Sequence, residues 1–514
     1  MDFCMKKNFS VKMLSVILAV IMITASFAGL TASAAQKAIV QNYPMIDIPG
    51  FMASDIYEDK NDKNSKEIFP WSTDDILNTV KNCVPALLKF LVNKDYDALA
   101  DKIIPEAKAL LQPSFCNPDG TPVGNSGAYM EYPDANSIRK NSTLTFRYDW
   151  RIDPVEIASQ LNDFINYVLA ATGSKKVAVS CHSLGGLVTL TYMTIYGTDK
   201  IYAAGLNTTA IFGEAYTGQL FSGDITVSGD ALVYYLQYAL DQSDYDAIIG
   251  GILDVLKEAG IANAIAKYAN DIIEHIKDRA ISEVLFPMFS SWLSIWAMCP
   301  DEALDAAKKY MFGVADPSVD YSGLRTRIDN FSRVFRTNRI KTLKQLNDKA
   351  RVAVISRYGY SSIPLTSQWD SLTDGVIDAN RNSFGATTSA YGKQLTAEEL
   401  KGVSAEYISP DRTINASTCL FPEQTWFIKD YKHATNSHAL DNMIFKLLFN
   451  PEGESTVNSY PEYPRFLQFR GFDEQILPDR STAEQLSGFK AFIKKMVDML
   501  DNLYCIILKL FKLR

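Results

Sequence analysis

The chain is poor in histidine, with four among 514 residues: His182, His275, His433 and His438. Any reaction that needs an imidazole base therefore has a short slate of candidates. Cysteine is sparse as well, seven in all, and no two form a CxxC pair, which speaks against a metal site. Positive charge is in deficit. Lys and Arg number 51 against 59 Asp and Glu, a formal net charge of −8, and an acidic chain does not bind nucleic acid by bulk charge. Long apolar runs are missing from the body of the sequence; the exceptions lie at its ends. Near the start, Lys6, Lys7 and Lys12 precede the apolar stretch Met13–Leu30 and the small residues Thr31-Ala32-Ser33-Ala34-Ala35. That is the layout of a secretory signal peptide over residues 1–35. A retained membrane anchor is the alternative, disfavoured by Thr24, Ser26 and Gly29 within the stretch.

Removal of 1–35 takes away three lysines and Asp2, so the net charge of −8 becomes −10, and Cys4 leaves with it. Cys83, Cys116, Cys181, Cys299, Cys419 and Cys505 stay. Export permits disulfides, and a Cys83–Cys116 bridge is expected to clip the insertion that these two residues bracket. Whether Asn141 or Asn415, each in an N-x-[ST] sequon, carries sugar depends on the host.

What is present centres on Val177-Ala178-Val179-Ser180-Cys181-His182-Ser183-Leu184-Gly185-Gly186, an apolar run that stops at Ser183 and gives way to the helical-looking Leu187–Tyr196. A strand turning sharply into a helix lifts the residue at its tip above the sheet edge, and its neighbours must be small. Ser183 is the candidate nucleophile. The strict pattern is G-x-S-x-G, and Cys181 stands where the first glycine belongs. An N-cap serine for the following helix is the plainer reading. Upstream, Tyr43–Ser54 reads as a strand running into Pro49-Gly50. In a serine hydrolase such a loop supplies one of the two backbone N–H groups that bind the oxyanion; Phe51 and Leu184 are the candidate donors.

Residues 54–141 read as an insertion, helical over Asp74–Leu110 and positioned to overhang the site. Thr143–Arg151 reads as a strand, and Asp153-Pro154 opens a helix that Gly173 ends. With a further strand at Ile201–Asn207, strands and helices alternate as in a doubly wound, mostly parallel α/β sheet.

Pro44-Met45-Ile46-Asp47-Ile48-Pro49-Gly50, Tyr148-Asp149-Trp150-Arg151 with Asp153-Pro154, and His182-Ser183-Leu184-Gly185-Gly186 together resemble the lecithin:cholesterol acyltransferase branch of the α/β-hydrolases and related bacterial lipases. The resemblance spans roughly 43–57, 143–210 and 350–450. It implies acyl-ester chemistry on lipids through a Ser, Asp and His triad, with no cofactor and no metal. Asp374, followed by Gly375 and Val376, matches the turn on which such hydrolases carry their acid; Asp370 and Asp378 are rivals. His433 follows the strand Thr425–Ile428 and suits the base, with His438 in reserve. The order Ser183, Asp374, His433 is that of the α/β-hydrolases. His182 is expected to point away from Ser183, as a structural or substrate-proximal residue, and His275 to lie on a helix surface.

The sheet-forming core is thus expected at 36–212 and 348–450, with a helical cap over 213–347. Within the cap, Ala231–Leu240, Asp246–Ala259, Ile261–Glu283 and Asp301–Met311 read as helices. Phe286, Phe289, Trp292 and Trp296 are either cap core or an acyl-chain lining. Residues 451–488 read as a Pro-rich linker, and 489–514 as an amphipathic helix suited to a membrane surface or to packing on the body. The expected product is a secreted or surface-attached lipase or esterase acting on lipid or other carboxylic esters. An acyltransferase with the same triad and a noncatalytic lipid-binding protein are the alternatives.

Overall fold

The computed structural model describes residues 39–240, 260–450, 455–471 and 474–479. The expected signal peptide, the expected helices at 246–259 and 489–514, and Cys505 lie outside the described residues. The chain divides into two units, Met1–Val40 and Gln41–Arg514, and every described strand and helix belongs to the second.

Strand β1 (Met45–Ile48) is followed by three short strands, β2 (Ile56–Tyr57), β3 (Glu67–Phe69) and β4 (Gly127–Ala128), which pair as a small sheet in the order β3-β2-β4. Then come β5 (Thr143–Thr145), β6 (Val177–His182), β7 (Ile201–Asn207) and β8 (Arg351–Tyr358), the small pair β9 (Thr387–Thr388) and β10 (Ile414–Asn415), and β11 (Thr425–Lys429), β12 (Phe466–Arg470) and β13 (Gln475–Pro478). Eight of these make the central sheet, in the order β13-β12-β11-β8-β7-β6-β1-β5. All its neighbours are parallel except β12 and β13. Helices cover it, and the strands at its centre read as near-continuous apolar runs because neither face meets water. β6 and β8 are the clearest cases, the second buried along seven of its eight residues. The doubly wound α/β sheet expected from the alternation of elements is therefore the observed one, and it is consistent with the α/β-hydrolase fold that the resemblance implies.

The helix Pro154–Thr172 shows how local chemistry sets the boundaries. Asp153 accepts a hydrogen bond from Val155 N–H, Pro154 occupies the first turn, and Gly173 at φ 63° closes the helix. Its buried face, Ile157, Leu161, Phe164, Ile165 and Val168, packs against the helix Leu184–Tyr196 that leaves the elbow.

Three expectations need correction. Ladder pairing in Thr143–Arg151 stops at Thr145, because Tyr148, Trp150 and Arg151 are used instead to hold the insertion. The Tyr148 hydroxyl donates to Pro49 O at 2.7 Å and Trp150 Nε1 to Ser54 O at 2.9 Å. Arg151, fully buried, is paired with Asp149 at 2.8 Å and donates to Ser114 O at 3.2 Å. Second, the supposed linker contributes β12 and β13 to the sheet, since Phe466, Leu467 and Phe469 are buried between its prolines. Third, Cys83 and Cys116 are free thiols. Cys83 lies on the helix Thr73–Asn93, beside Glu106 and Lys102, while the Cys116 N–H donates to Ser291 Oγ at 3.1 Å. Each is committed to a different packing environment.

For the aromatic run of the cap, two readings stood open, and the structure favours the core. Trp292 and Trp296 are buried, with their indole N–H groups on Ser114 O and Ser290 O, and Trp292 packs edge-on against Trp150 with ring centroids 5.0 Å apart. These rings are core, joining cap to sheet, and not an open acyl lining.

The Asp149–Arg151 pair is costly to bury and costlier to break. Asp149→Ala strands a guanidinium with no exposure and is expected to lower stability by about 3–5 kcal/mol, measured by urea unfolding. Replacement of the pair by apolar residues is expected to lose much less.

Candidate active site

Ser183 stands where β6 becomes the helix Leu184–Tyr196, at φ 55° and ψ −126°. A non-glycine residue rarely takes a positive φ, and such strain persists only where its surroundings enforce it. The enforcement is visible. Ser183 N–H donates to Asn207 O at 3.3 Å, while Ser183 O accepts from Gly186 and Ala210 N–H, both at 3.1 Å. Gly185 and Gly186 are required by close approach. A Cβ at Gly185 would lie 2.1 Å from Ile48 O, and one at Gly186 2.2 Å from Thr209 Cγ2. Cys181 fills the position of the first glycine without conflict, its thiol donating to Thr189 Oγ1 at 3.2 Å. Burial pushes that thiol up to about 12, so it is no rival nucleophile.

Asp374 and His433 come together. His433 Nδ1 lies 2.8 Å from Asp374 Oδ2, and His433 N–H donates to Asp374 O at 2.9 Å. Asp374 is fully buried, and its carboxylate is saturated. Oδ1 accepts Val376 N–H at 3.0 Å and Ile377 N–H at 2.8 Å, while Oδ2 also accepts the Thr208 hydroxyl. Burial pushes the carboxyl up, but the His433 charge and these donors outweigh it and hold it below its ordinary 3.8. Asn382 Nδ2 donates to Thr208 Oγ1 at 3.0 Å, so the hydroxyl is itself oriented. Gly375, at φ 97°, presents its bare Cα to the Tyr238 ring, which a Cβ would meet at 2.4 Å.

The rivals have other work. Asp378 accepts Ala215 N–H at 2.8 Å and pairs with Arg381 at 3.3 Å, and Asp370 reaches Lys393 at 3.9 Å. His438 is exposed at the first position of the helix His438–Phe449. His275 is exposed too, stacked on Tyr96 at 3.8 Å. His182 does not turn away from the site: its ring centroid is 4.6 Å from that of His433, and Nε2 lies 3.0 Å from His433 O.

The Ser183 hydroxyl makes no hydrogen bond among the described residues, so the step from Ser183 to His433 is open in this state. Such links commonly tighten only when substrate binds. Gly50 abuts Ser183; a Cβ there would lie 2.8 Å from Ser183 Cβ and 3.3 Å from its Oγ. Neither Phe51 N–H nor Leu184 N–H has a hydrogen-bond acceptor among the described residues. Two idle donors beside a strained serine are what an oxyanion would need.

Thr208, Arg357 and Glu214 carry no motif, and nothing in the sequence singled them out. The signal available was weak: polar residues at or just beyond the ends of apolar strands. Glu214 is buried, and the Thr217 hydroxyl donates to its Oε1 at 2.6 Å.

Residues 129–230 match the family model of lecithin:cholesterol acyltransferase. The matched segment runs from the end of the insertion through Tyr148–Arg151 and the Ser183 elbow into the cap. It supports chemistry of the lipid esterase and acyltransferase type. A solved structure, "The crystal structure of Tle4-Tli4 complex", is similar at 15% identity over 35% of this chain and 48% of that one, with a TM-score of 0.19. The chain thus spans about half the length of that neighbour. Comparison with curated proteins gives no match.

Burial, against the Thr217 hydroxyl and the His433 charge, pushes the Glu214 carboxyl up to about 7 from its ordinary 4.5. The folded protein then holds a proton that the unfolded chain releases, so stability falls as pH rises from about 4.5 to about 7 and levels off above. Glu214→Gln is expected to flatten that slope in urea melts taken across this range, and to be more stable than the parent at pH 8.

Proposed function

We propose that the protein is an exported serine lipase or esterase, hydrolysing carboxylic esters of lipids through an acyl-enzyme on Ser183. Ser183 Oγ attacks the ester carbonyl carbon while His433 Nε2 takes its proton, and the carbonyl oxygen becomes an oxyanion held by Phe51 and Leu184 N–H. Collapse breaks the bond to the leaving alcohol, which receives the proton from His433. Water then repeats the cycle on the acyl-enzyme and restores Ser183. Asp374 fixes the tautomer with the proton on Nδ1 and stabilises the imidazolium as it forms. No metal or organic cofactor enters the scheme.

The observation that carries this reading is the 2.8 Å bond between Asp374 and His433. It lies at the sheet edge where Ser183 is held at positive φ. The name of the matched family supports a second outcome of the same chemistry, in which a lipid alcohol takes the acyl group in place of water. The proposal extends to a lipid surface met through residues 489–514.

Nitrophenyl esters of graded chain length test nucleophile and substrate class together. Ser183→Ala is expected to lower kcat by roughly 10⁴-fold or more while leaving the fold intact. Turnover equal to the wild type would remove Ser183 from the mechanism. Radiolabelled ester, with and without an added acceptor alcohol, separates hydrolysis from transfer.

A further inference from the structure

Two groups outside the triad converge on one atom, the backbone carbonyl oxygen of His433. His182 Nε2 approaches it to 3.0 Å, and Arg357 Nη1 donates to it at 3.1 Å. Arg357 Nη1 also donates to Lys432 O and Thr435 O, each at 2.9 Å, so one guanidinium grips three carbonyls within four consecutive residues. Its Nε donates to Asn207 Oδ1 at 3.0 Å, and Asn207 O in turn accepts the Ser183 N–H. The base loop and the nucleophile elbow are thereby tied twice, once through His182 and once through Asn207.

We propose that His182 and Arg357 are positioning residues for His433, holding its backbone from two sides so that the imidazole keeps its station between Asp374 and Ser183. This rests on the triad reading of the site. A carbonyl only accepts, so His182 must carry its proton on Nε2. Burial, His433 and Arg357 all hold its pKa well below the ordinary 6.5, which keeps the ring neutral and the donor in place. Arg357 is fully buried, stacks on Tyr431 with 4.2 Å to the ring centroid, and has no carboxylate within ion-pair distance among the described residues. An unpaired buried cation is expensive. Loop-filling alone is served by an apolar side chain at lower cost; fixing three carbonyl dipoles in one geometry is not.

The test compares His182→Phe, which keeps a ring and loses the donor, with His182→Gln, whose amide can donate from nearly the same place. Far-UV circular dichroism and thermal melts check that both fold. On a short-chain nitrophenyl ester, the Phe variant is expected to lose roughly tenfold to a hundredfold in kcat with KM within about twofold, and the Gln variant to recover most of the loss. The low-field proton resonance of the His433 Nδ1–H shared with Asp374 is expected to shift or broaden in the Phe variant and to return in the Gln variant. Arg357→Lys is expected to fall between. A Phe variant with wild-type kcat and an unmoved resonance overturns the proposal, as do equal losses in Phe and Gln. The resonance needs no substrate. A wild type that neither hydrolyses esters nor reacts with a fluorophosphonate therefore sinks the ester-hydrolase reading, while the resonance still judges the clamp.

Discussion

The carboxylate of Asp374 is the constraint around which the site is built. A fully buried anion is tolerable only when its lone pairs are occupied, and here two backbone N–H groups, the Thr208 hydroxyl and the His433 imidazole occupy them. Each donor comes with a demand on the fold. The backbone donors require the tight turn that Gly375 closes at φ 97°. Thr208 requires β7 to end one residue earlier, and Asn382 must orient its hydroxyl. His433 requires β11 to deliver its loop to the same edge. The parallel sheet satisfies these together because β7, β8 and β11 are ladder neighbours, and their loops emerge on one side.

The same edge explains the strain at Ser183. β6 is the neighbour of β7 on one side and of β1 on the other, so the serine lies between the loop carrying Thr208–Ala210 and the Pro49–Phe51 turn. Ala210 N–H holds Ser183 O from one side, and Gly50 presses on its Cβ from the other. The Pro49–Gly50 turn is fixed in turn from outside the sheet, by the Tyr148 hydroxyl on Pro49 O. The Tyr-Asp-Trp-Arg stretch therefore acts on the site at one remove. Tyr148 holds the loop with the candidate oxyanion donor, Trp150 secures Ser54 further along it, and Arg151 with Asp149 fastens the insertion behind it.

What could be read in the sequence was what repeats or stands at fixed offsets. Alternating apolar runs and helical spacings foretold the sheet, and the glycines after Ser183 marked a close approach. Features that depend on contact between remote segments were not readable. β12 and β13 were hidden because prolines flank short buried runs, and β2 to β4 because two or three residues carry no period. Thr208 and Arg357 looked like any polar residue near a strand. The Trp and Phe cluster of the cap suited a core better than a pocket from spacing alone, without excluding either. Burial of Trp292 and Trp296 and the indole donors on Ser114 O and Ser290 O tell that it is core. The Cys83–Cys116 bridge failed for a related reason: proximity in sequence says nothing of which surface each residue packs against.

Stability and chemistry divide the buried charges between them. The buried Arg151 and Asp149 are neutralised as a pair and fasten the insertion to the body. At the sheet edge the accounting differs. Arg357 has no carboxylate partner among the described residues, His182 is kept neutral, and Glu214 holds a proton up to about 7. Three ionisable groups are thus gathered near His433, and the Asp374 carboxylate is left as the strongly held negative charge among them. In so dry a setting, a positive charge forming on the imidazole has that carboxylate at 2.8 Å to stabilise it. Water would screen the pair if it entered, and Phe51, Trp150 and Trp292 pack edge-on beside the Pro49–Phe51 turn. Burial at this edge is therefore part of the electrostatics of the site, because the attraction between Asp374 and an imidazolium at position 433 is strong only while the space around them stays dry.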